Sequence, residues 1–399
     1  MKKFLSLLLI ICLLLTICGC TKNPTPTDEP TPAPTEGPTT VPTATPSDAT
    51  TEPSIPAETE PAPTEAINYD FPLTAVTSIR NQEITADSEG QTIFEYTYQS
   101  IYVMVEDEDV ADAVYQDISH RIDDTKYAAE SIKNEAINVD PQYPYSLTVQ
   151  YEPIRIDSTV LSLFGSYSIY NGGIVSHSAH GLTYDLTTGA LLTLDDVLTD
   201  SVIADTLCPL VANALAQLPE ETYLFDDYIS TVENRFSGNF WNDEAWYLSA
   251  EGLCFTFEPY EVAPNSSGYI HATIPYDELN GILEDAWFPP ERMTPDGALT
   301  VSDFTVDSAA PYQHIADVCV NEDGEMILLH TDGLIYDLII ECGYSNASGT
   351  RFTTENILFR ADCLIPTDAV LLQAHLDDPQ HQLRITYTGT DGTVTLYLS

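Results

Sequence analysis

The amino-acid sequence predicts an α+β fold in which antiparallel sheets pack with two or three helices, followed by a small all-β C-terminal domain. Three patterns predict it. Apolar residues alternate at Ile93, Tyr96, Tyr98, Ile101, Val103 and Val105, and again at Leu161, Leu163, Tyr167 and Ile169. Others recur at helical spacing, as at Val110, Val114, Ile118 and Ile122. In the last hundred or so residues, short apolar runs are separated by Asp-Gly turns and show no helical period.

Residues 1–20 read as a lipoprotein signal peptide. Lys2 and Lys3 precede an apolar run from Phe4 to Ile17, shorter than the roughly 20 residues a membrane span needs. Ile17-Cys18-Gly19-Cys20 resembles the bacterial lipobox, with Cys20 as the residue that is lipidated. The expected location is therefore the extracellular face of the cell membrane, held by the lipid. Residues 21–66 carry 12 prolines and 13 threonines. Too little apolar surface is present for a core, so this stretch is expected to be a disordered linker. Proline favours extended backbone there, giving a reach of roughly 100 Å or more at about 3.1 Å per residue.

Two strands are expected between residues 71 and 105. A helix follows, with Asp107-Glu108-Asp109 as its cap and first-turn charge. Those three acids also suit calcium, but an EF-hand loop with its glycine and distal glutamate is missing, which favours the cap. Strands near 146–156 and 159–169 come next. Gly172-Gly173 breaks the run, and a partner strand resumes through Leu182, Tyr184 and Leu186. Thr193 and Asp195-Asp196 then open a second helix, expected from about Asp196 to Leu218 with Ile203, Leu207, Leu210, Val211, Ala214 and Leu218 inward, and Pro219 ends it. A shorter helix is expected over Asp226 to Phe236 with Ile229, Val232 and Phe236 inward. Trp241, Trp246, Tyr247 and Leu248 then reopen the sheet, with the aromatics in the core, ahead of strands over Gly252 to Tyr276 and a short closing helix through Leu283.

Tyr170-Asn171-Gly172-Gly173, Tyr184-Asp185-Leu186 with Gly189, Leu194-Asp195-Asp196, and the run from Gly252 to Pro264 with Gly268 and Ile274 to Leu279 carry a family resemblance. Residues 70 to 290 resemble the extracellular domain shared by RsiV-type anti-sigma factors and the accessory region of PdaC-type peptidoglycan deacetylases. The resemblance implies an N-terminal α+β part over 67–175 and a C-terminal α+β part over 176–290. A breaker-rich segment from Pro289 to Gly297 marks the expected boundary before the all-β domain, 297–399. That family tends to carry a histidine soon after the double glycine. Here Ile174-Val175-Ser176 intervene before His177 and His180.

The chain shows no GxSxG, HExxH, GxxxxGKS/T or GxGxxG pattern, and the catalytic motifs of PdaC-type enzymes are absent. The expectation is a binding protein, not an enzyme, with no cofactor. His177 and His180 form an HxxH spacing, expected in a loop, but a metal site needs a third ligand that the sequence does not identify, so no metal is assigned. Cys208, Cys254, Cys319, Cys342 and Cys363 are odd in number and lack CxxC spacing, which favours single thiols over a disulfide framework, although Cys319 with Cys342 or Cys342 with Cys363 remains open. Tyr260-Glu261, at a proline corner, either presents an aromatic and an acid to a partner or is a structural corner. The candidate partner-binding residues are Tyr170, Asn171, His177, His180, Tyr260 and Glu261.

Lysine and arginine total 13 against 62 acids, a formal charge of -49, which disfavours nucleic acid and anionic lipid as partners. By resemblance to RsiV, whose ectodomain binds lysozyme, the expected partner is a lysozyme-like cationic protein. Peptidoglycan is the alternative, and a glycan-modifying enzyme the less favoured third. An anti-sigma role needs a cytosolic segment, and only Met1-Lys2-Lys3 precede the apolar run.

Overall fold

The computed structural model describes residues 69, 72–139, 141–199, 204–237, 245–320, 324–346, 351–374 and 381–398. Cys20, the proline-rich stretch, Ile203 and Trp241 lie outside them. An α+β architecture is observed, dominated by strand.

The first strand pair is β1 (Ala75–Ala86) and β2 (Thr92–Met104), antiparallel in register from Ala75↔Met104 to Ile84↔Glu95. The Asp107 carboxylate accepts from the Asp109 amide at 3.0 Å and opens helix α1 (Glu108–Val139), so that acid works as a cap. Val110, Val114, Ile118 and Ile122 are all buried, and the same face continues through Ala129, Ile132 and Ala136, well past the expected stretch. The helix is a crossover. It delivers the chain to β3 (Tyr145–Ile156), which lies parallel to β2 with Phe94↔Tyr145 in register, an exception to the antiparallel expectation that a long crossover makes geometrically natural. Strands β4 (Val160–Tyr170) and β5 (Ser176–Asp185) close this side as an antiparallel hairpin.

Thr193 and Asp196 then start α2 (Leu194–Val197), the Asp196 carboxylate accepting from the Thr193 amide at 2.8 Å. The helix expected from Asp196 to Leu218 is thus not continuous: after one turn Leu198 turns extended, and α3 (Ala204–Ala216) carries the buried Leu207, Val211 and Leu215. In α4 (Tyr228–Ser237) Val232 and Phe236 face inward, whereas Ile229 is exposed. These helices pack on a three-stranded sheet, β6 (Trp246–Leu248), β7 (Gly252–Phe257) and β8 (Ile270–Pro275), around a core of Phe255, Phe257, Ile270 and Ile274. In place of a short closing helix, two 3-10 turns follow, Tyr276–Glu278 and Asp285–Trp287.

The remaining strands are β9 (Leu299–Asp303), then, after a one-turn helix α5 (Val306–Ala309), β10 (His314–Cys319), β11 (Glu325–Thr331), β12 (Ile335–Ser345), β13 (Phe352–Leu364), β14 (Asp368–Ala374), β15 (His381–Gly389) and β16 (Gly392–Leu398). Four of them form their own sheet, ordered β10-β14-β11-β9. The other four do not stay apart. They extend the first sheet into nine strands, ordered β16-β15-β12-β13-β1-β2-β3-β4-β5, through the β1–β13 pairing Ala75↔Ala361, Val76↔Arg360 and Thr77↔Phe359.

The two expected boundaries do not coincide with divisions between sheets. Residues 297–399 share a sheet with the N-terminal strands, and residues 66–399 form one compact unit, because β1 needs a second neighbour and Leu73 and Ala75 bury into the same core as Phe359 and Ile385. The division at 175/176 cuts the β4–β5 hairpin in two; the chain changes layers only after β5.

A buried ion pair pins that change of layer. Arg155 and Asp157 are almost wholly buried, with Nε 2.6 Å from Oδ2. Arg155 also donates to the Tyr276 hydroxyl and the Trp287 carbonyl, at 2.7 and 2.8 Å. Removing either charge would strand the other in the interior at a cost of about 3–5 kcal/mol.

Candidate functional site

The candidate residues gather at one end of the β4–β5 hairpin and at the loop after β7, but they do not form one cluster. Tyr170 ends β4 and meets Tyr145 edge-on, with ring centroids 6.2 Å apart. Asn171 opens the turn, and Gly172 passes through it at φ +90°, directly over the Tyr145 ring, where a β-carbon would be strained and crowded. Beyond the turn Ile174 is 80% exposed and Val175 is also exposed. Tyr143, exposed as well, precedes β3 at the same end of the sheet, since Ser146 pairs with Tyr170. The hairpin tip thus displays apolar side chains on a glycine-shaped turn.

His177 and His180 sit on β5, not in a loop, and three positions along a strand place them on opposite faces. His177 faces Tyr269, edge to ring at 6.0 Å. His180 is buried on the helix side, stacked on Tyr167 at 4.9 Å and edge-on to Tyr151. Burial, with help from the Arg121 charge, pulls its pKa down to about 3, so the imidazole is neutral. The two histidines cannot share a metal ion.

Around His180 lies a buried polar layer under α1. Tyr151 and Tyr167 share a hydrogen bond of 3.1 Å between hydroxyls, and the Tyr184 hydroxyl donates to Asp117 at 2.9 Å. Arg121 holds the same Asp117 oxygen at 2.9 Å. The layer satisfies the hydroxyls of Tyr151, Tyr167 and Tyr184 where the sheet meets the helix, while His180 Nε2 is buried without a hydrogen-bond partner among the described residues.

The Glu258–Glu261 corner is a fold element too. Tyr260 takes φ +71° and its amide donates to the Ala263 carbonyl at 3.0 Å. The Glu261 carboxylate accepts from the Glu258 amide at 2.9 Å, while its other oxygen lies 3.6 Å from Arg235. Glu258 in turn accepts from Ala179 at 3.1 Å, covering part of the sheet edge at β5. Tyr260 itself is 63% exposed and projects from this fixed corner.

Two clefts flank Tyr269, a residue that sequence reasoning passed over. The larger, about 610 Å³, is lined by Leu218, Tyr223, Pro264, Ser266, Tyr269 and His271 among others. The smaller, about 320 Å³, lies between Glu152, Phe164, Ser166, Tyr269, Glu341 and Asn356. The Tyr269 hydroxyl donates toward the Tyr167 and Ser178 carbonyls, at 3.3 and 3.1 Å, which fixes the ring between the clefts. Burial drives its pKa up to about 12, so it stays a neutral donor. His271 is occupied by Tyr247 at 3.0 Å and Thr256 at 3.3 Å, and burial lowers its pKa. Tyr223, at φ +51° and exposed, projects beside the larger cleft. No local sequence signal marks these residues, because the cleft joins segments some 45 positions apart.

Residues 195–277, which contain α3, α4, the three-stranded sheet and every residue lining the larger cleft, match the family described as "Protein of unknown function (DUF3298)". The chain carries a DUF3298 domain. Its start agrees with the change of layer after β5. Two solved structures of this family are similar to the chain. A DUF3298 family protein of Pseudomonas aeruginosa PAO1 is 17% identical, with 54% of this chain and 97% of that chain covered at a TM-score of 0.40. A member from Bacteroides fragilis NCTC 9343 is 20% identical, with 53% and 94% covered at a TM-score of 0.37. No curated protein matches the chain. The DUF3298 domain supplies the Tyr260 corner and Tyr269, while the hairpin tip is contributed by strands that precede it.

All five cysteines in the described residues are free: Cys254, Cys342 and Cys363 are buried, Cys208 is half-buried and Cys319 is exposed. No helix among the described residues is long and apolar enough to cross a membrane.

Proposed function

We propose that this protein is a lipid-anchored, non-catalytic binding or sensing protein of the bacterial envelope, and that its partner is a lysozyme-like cationic protein. The observation that carries the reading is the charge: 62 acidic residues against 13 basic ones draw a cationic partner toward the surface and repel polyanions. The exposed apolar tip at Ile174 and Val175 offers the contact that charge alone lacks, since attraction without burial is not specific. The resemblance of residues 70 to 290 to the RsiV ectodomain supplies the choice of lysozyme.

Titration of the full chain with lysozyme and with an unrelated basic protein of equal charge, across an ionic-strength series, tests this. Screening over about 8 Å at physiological salt weakens both. Lysozyme should stay bound at moderate salt after the other has dissociated; equal affinities that collapse together end the proposal. The anchor is tested separately: Cys20→Ala should abolish lipid labelling and release the protein from the membrane fraction or leave an uncleaved precursor.

A second reading, peptidoglycan binding, draws on the larger cleft, where the exposed Tyr223 and the fixed Tyr269 offer rings to a sugar face. Loss of glycan-fragment binding in Tyr223→Ala, with lysozyme binding intact, would separate the two.

A further inference from the structure

Far from the hairpin tip along the nine-stranded sheet, three neighbouring strands bring a thiol, a carboxylate and an imidazole together. Cys342 lies on β12, Glu355 on β13 and His381 on β15, with β12 in the middle. One donor atom from each falls within 4.8 Å of the others. Sequence spacing gives no hint of this, because the three are joined only by strand pairing.

The backbone is shaped at this point. Cys342 pairs with Asn356 and Gly343 with Thr354, so Glu355 is the extra residue of a bulge, opposite no partner. A bulge bends a strand and re-aims the side chain it carries, and bulges concentrate next to functional sites. Arg80 pairs with one oxygen of that carboxylate, and the other oxygen stands 3.5 Å from His381 Nε2. The His381 ring is stacked on Tyr344, centroids 4.7 Å apart at 15°, which fixes its plane. Its Nε2 is buried without a hydrogen-bond partner among the described residues. A buried, unpaired ring nitrogen costs free energy unless something supplies the missing partner.

We propose that Cys342, Glu355 and His381 bind a divalent cation of the zinc class, through Sγ, the carboxylate oxygen facing His381, and Nε2, with water completing a four-coordinate shell. Sulfur and imidazole donors select such an ion over magnesium or calcium, which prefer oxygen. Bond lengths of about 2.0 to 2.3 Å put tetrahedral ligands roughly 3.4 to 3.8 Å apart; the 3.5 Å between the carboxylate oxygen and Nε2 already fits, and the thiol, within 4.8 Å of both, needs to close by about 1 Å at most, within the reach of a small side-chain rotation. A thiolate and a carboxylate match the charge of the ion, and Arg80 orients the carboxylate from outside the shell. A three-ligand set leaves a position open to solvent or to a ligand from a partner.

The test uses the full chain stripped of metal and titrated with cobalt(II), whose bond to a thiolate gives a charge-transfer absorption. One equivalent should develop that band, zinc should displace it, and zinc should raise the melting temperature. Cys342→Ser should abolish the band, and His381→Asn and Glu355→Gln should each weaken cobalt binding at least tenfold. Cys319→Ser, at an exposed thiol, should keep it. His381→Asn also guards against misfolding: it should melt with the parent in the presence of a chelator while losing the metal-induced shift. A folded wild-type chain without the band, or a band that survives in Cys342→Ser, overturns the site.

Discussion

His180 on β5 lies flat across Gly165, its register partner on β4, and a β-carbon at Gly165 would overlap the imidazole ring. Hydrogen there is what lets a histidine enter the layer between sheet and helix, where Tyr167 stacks on it and Tyr151 meets its edge.

Gly165→Ala should therefore destabilise the chain by about 1–3 kcal/mol, the range for overpacking a buried site. His180→Ala in the same chain should relieve the overlap, so the double variant should be more stable than the sum of the two single losses; strict additivity in chemical denaturation would show that the two positions do not interact.

The same histidine predicts a pH dependence. In the unfolded chain His180 takes up a proton near its ordinary pKa of about 6.5, whereas in the fold, burial and the Arg121 charge hold it down to about 3. Between those values the unfolded state binds more protons, so stability is full above about pH 6.5 and falls as pH drops, by up to about 1.4 kcal/mol per unit. Asp362 works the other way, its pKa lifted by burial to about 6 despite Arg292 nearby. Comparing the parent with His180→Phe cancels that contribution. The parent should lose more stability than the variant between pH 6.5 and 4; parallel curves would mean His180 is not buried neutral.

The sequence makes the first strand pair, the crossover helix and the β4–β5 hairpin legible because each follows a clean period: Val110, Val114, Ile118 and Ile122 at helical spacing, Leu161, Leu163, Tyr167 and Ile169 along a strand. It hides β13 and β14. Along β13, Leu358 and Glu355 are each left without a register partner on β12, so alternation of period two is interrupted twice. Without β13 the link to β1 is invisible, and the C-terminal strands look like a separate domain. The candidate site divides in the same way. Tyr170, Asn171 and the Tyr260 corner stand out through glycine and proline, which mark local geometry, whereas Tyr269 and the triad of Cys342, Glu355 and His381 are assembled by tertiary pairing alone.

That link sets a limit on truncation. A fragment ending at residue 290 leaves Leu73 and Ala75 without the core they share with Phe359 and Ile385, and opens one edge of β1. It also loses the hydrogen bond from Arg360 to the Pro153 carbonyl, 2.9 Å, and the Gln99–Asn356 contact. The fragment 67–290 should melt at lower temperature with poor cooperativity and should bind dyes that report exposed apolar surface. A sharp transition matching that of 67–399 would restore the boundary near Gly297.

The hairpin tip gives the sharpest test of how a partner docks. Ile174 and Val175 stand in solvent on a turn whose shape is set elsewhere, by Gly172 over Tyr145 and by the β4–β5 register. Ile174→Ser with Val175→Ser should thus leave stability within about 0.5 kcal/mol, as exposed substitutions do. If the tip buries against a lysozyme, the paired change removes apolar contact worth a few kcal/mol at most, and affinity should fall at least tenfold, mainly through faster dissociation. Association, driven by the acidic excess, should change little and keep its salt dependence. Unchanged dissociation with unchanged stability would move the contact away from the tip, and the exposed Tyr260 corner would be the next place to substitute.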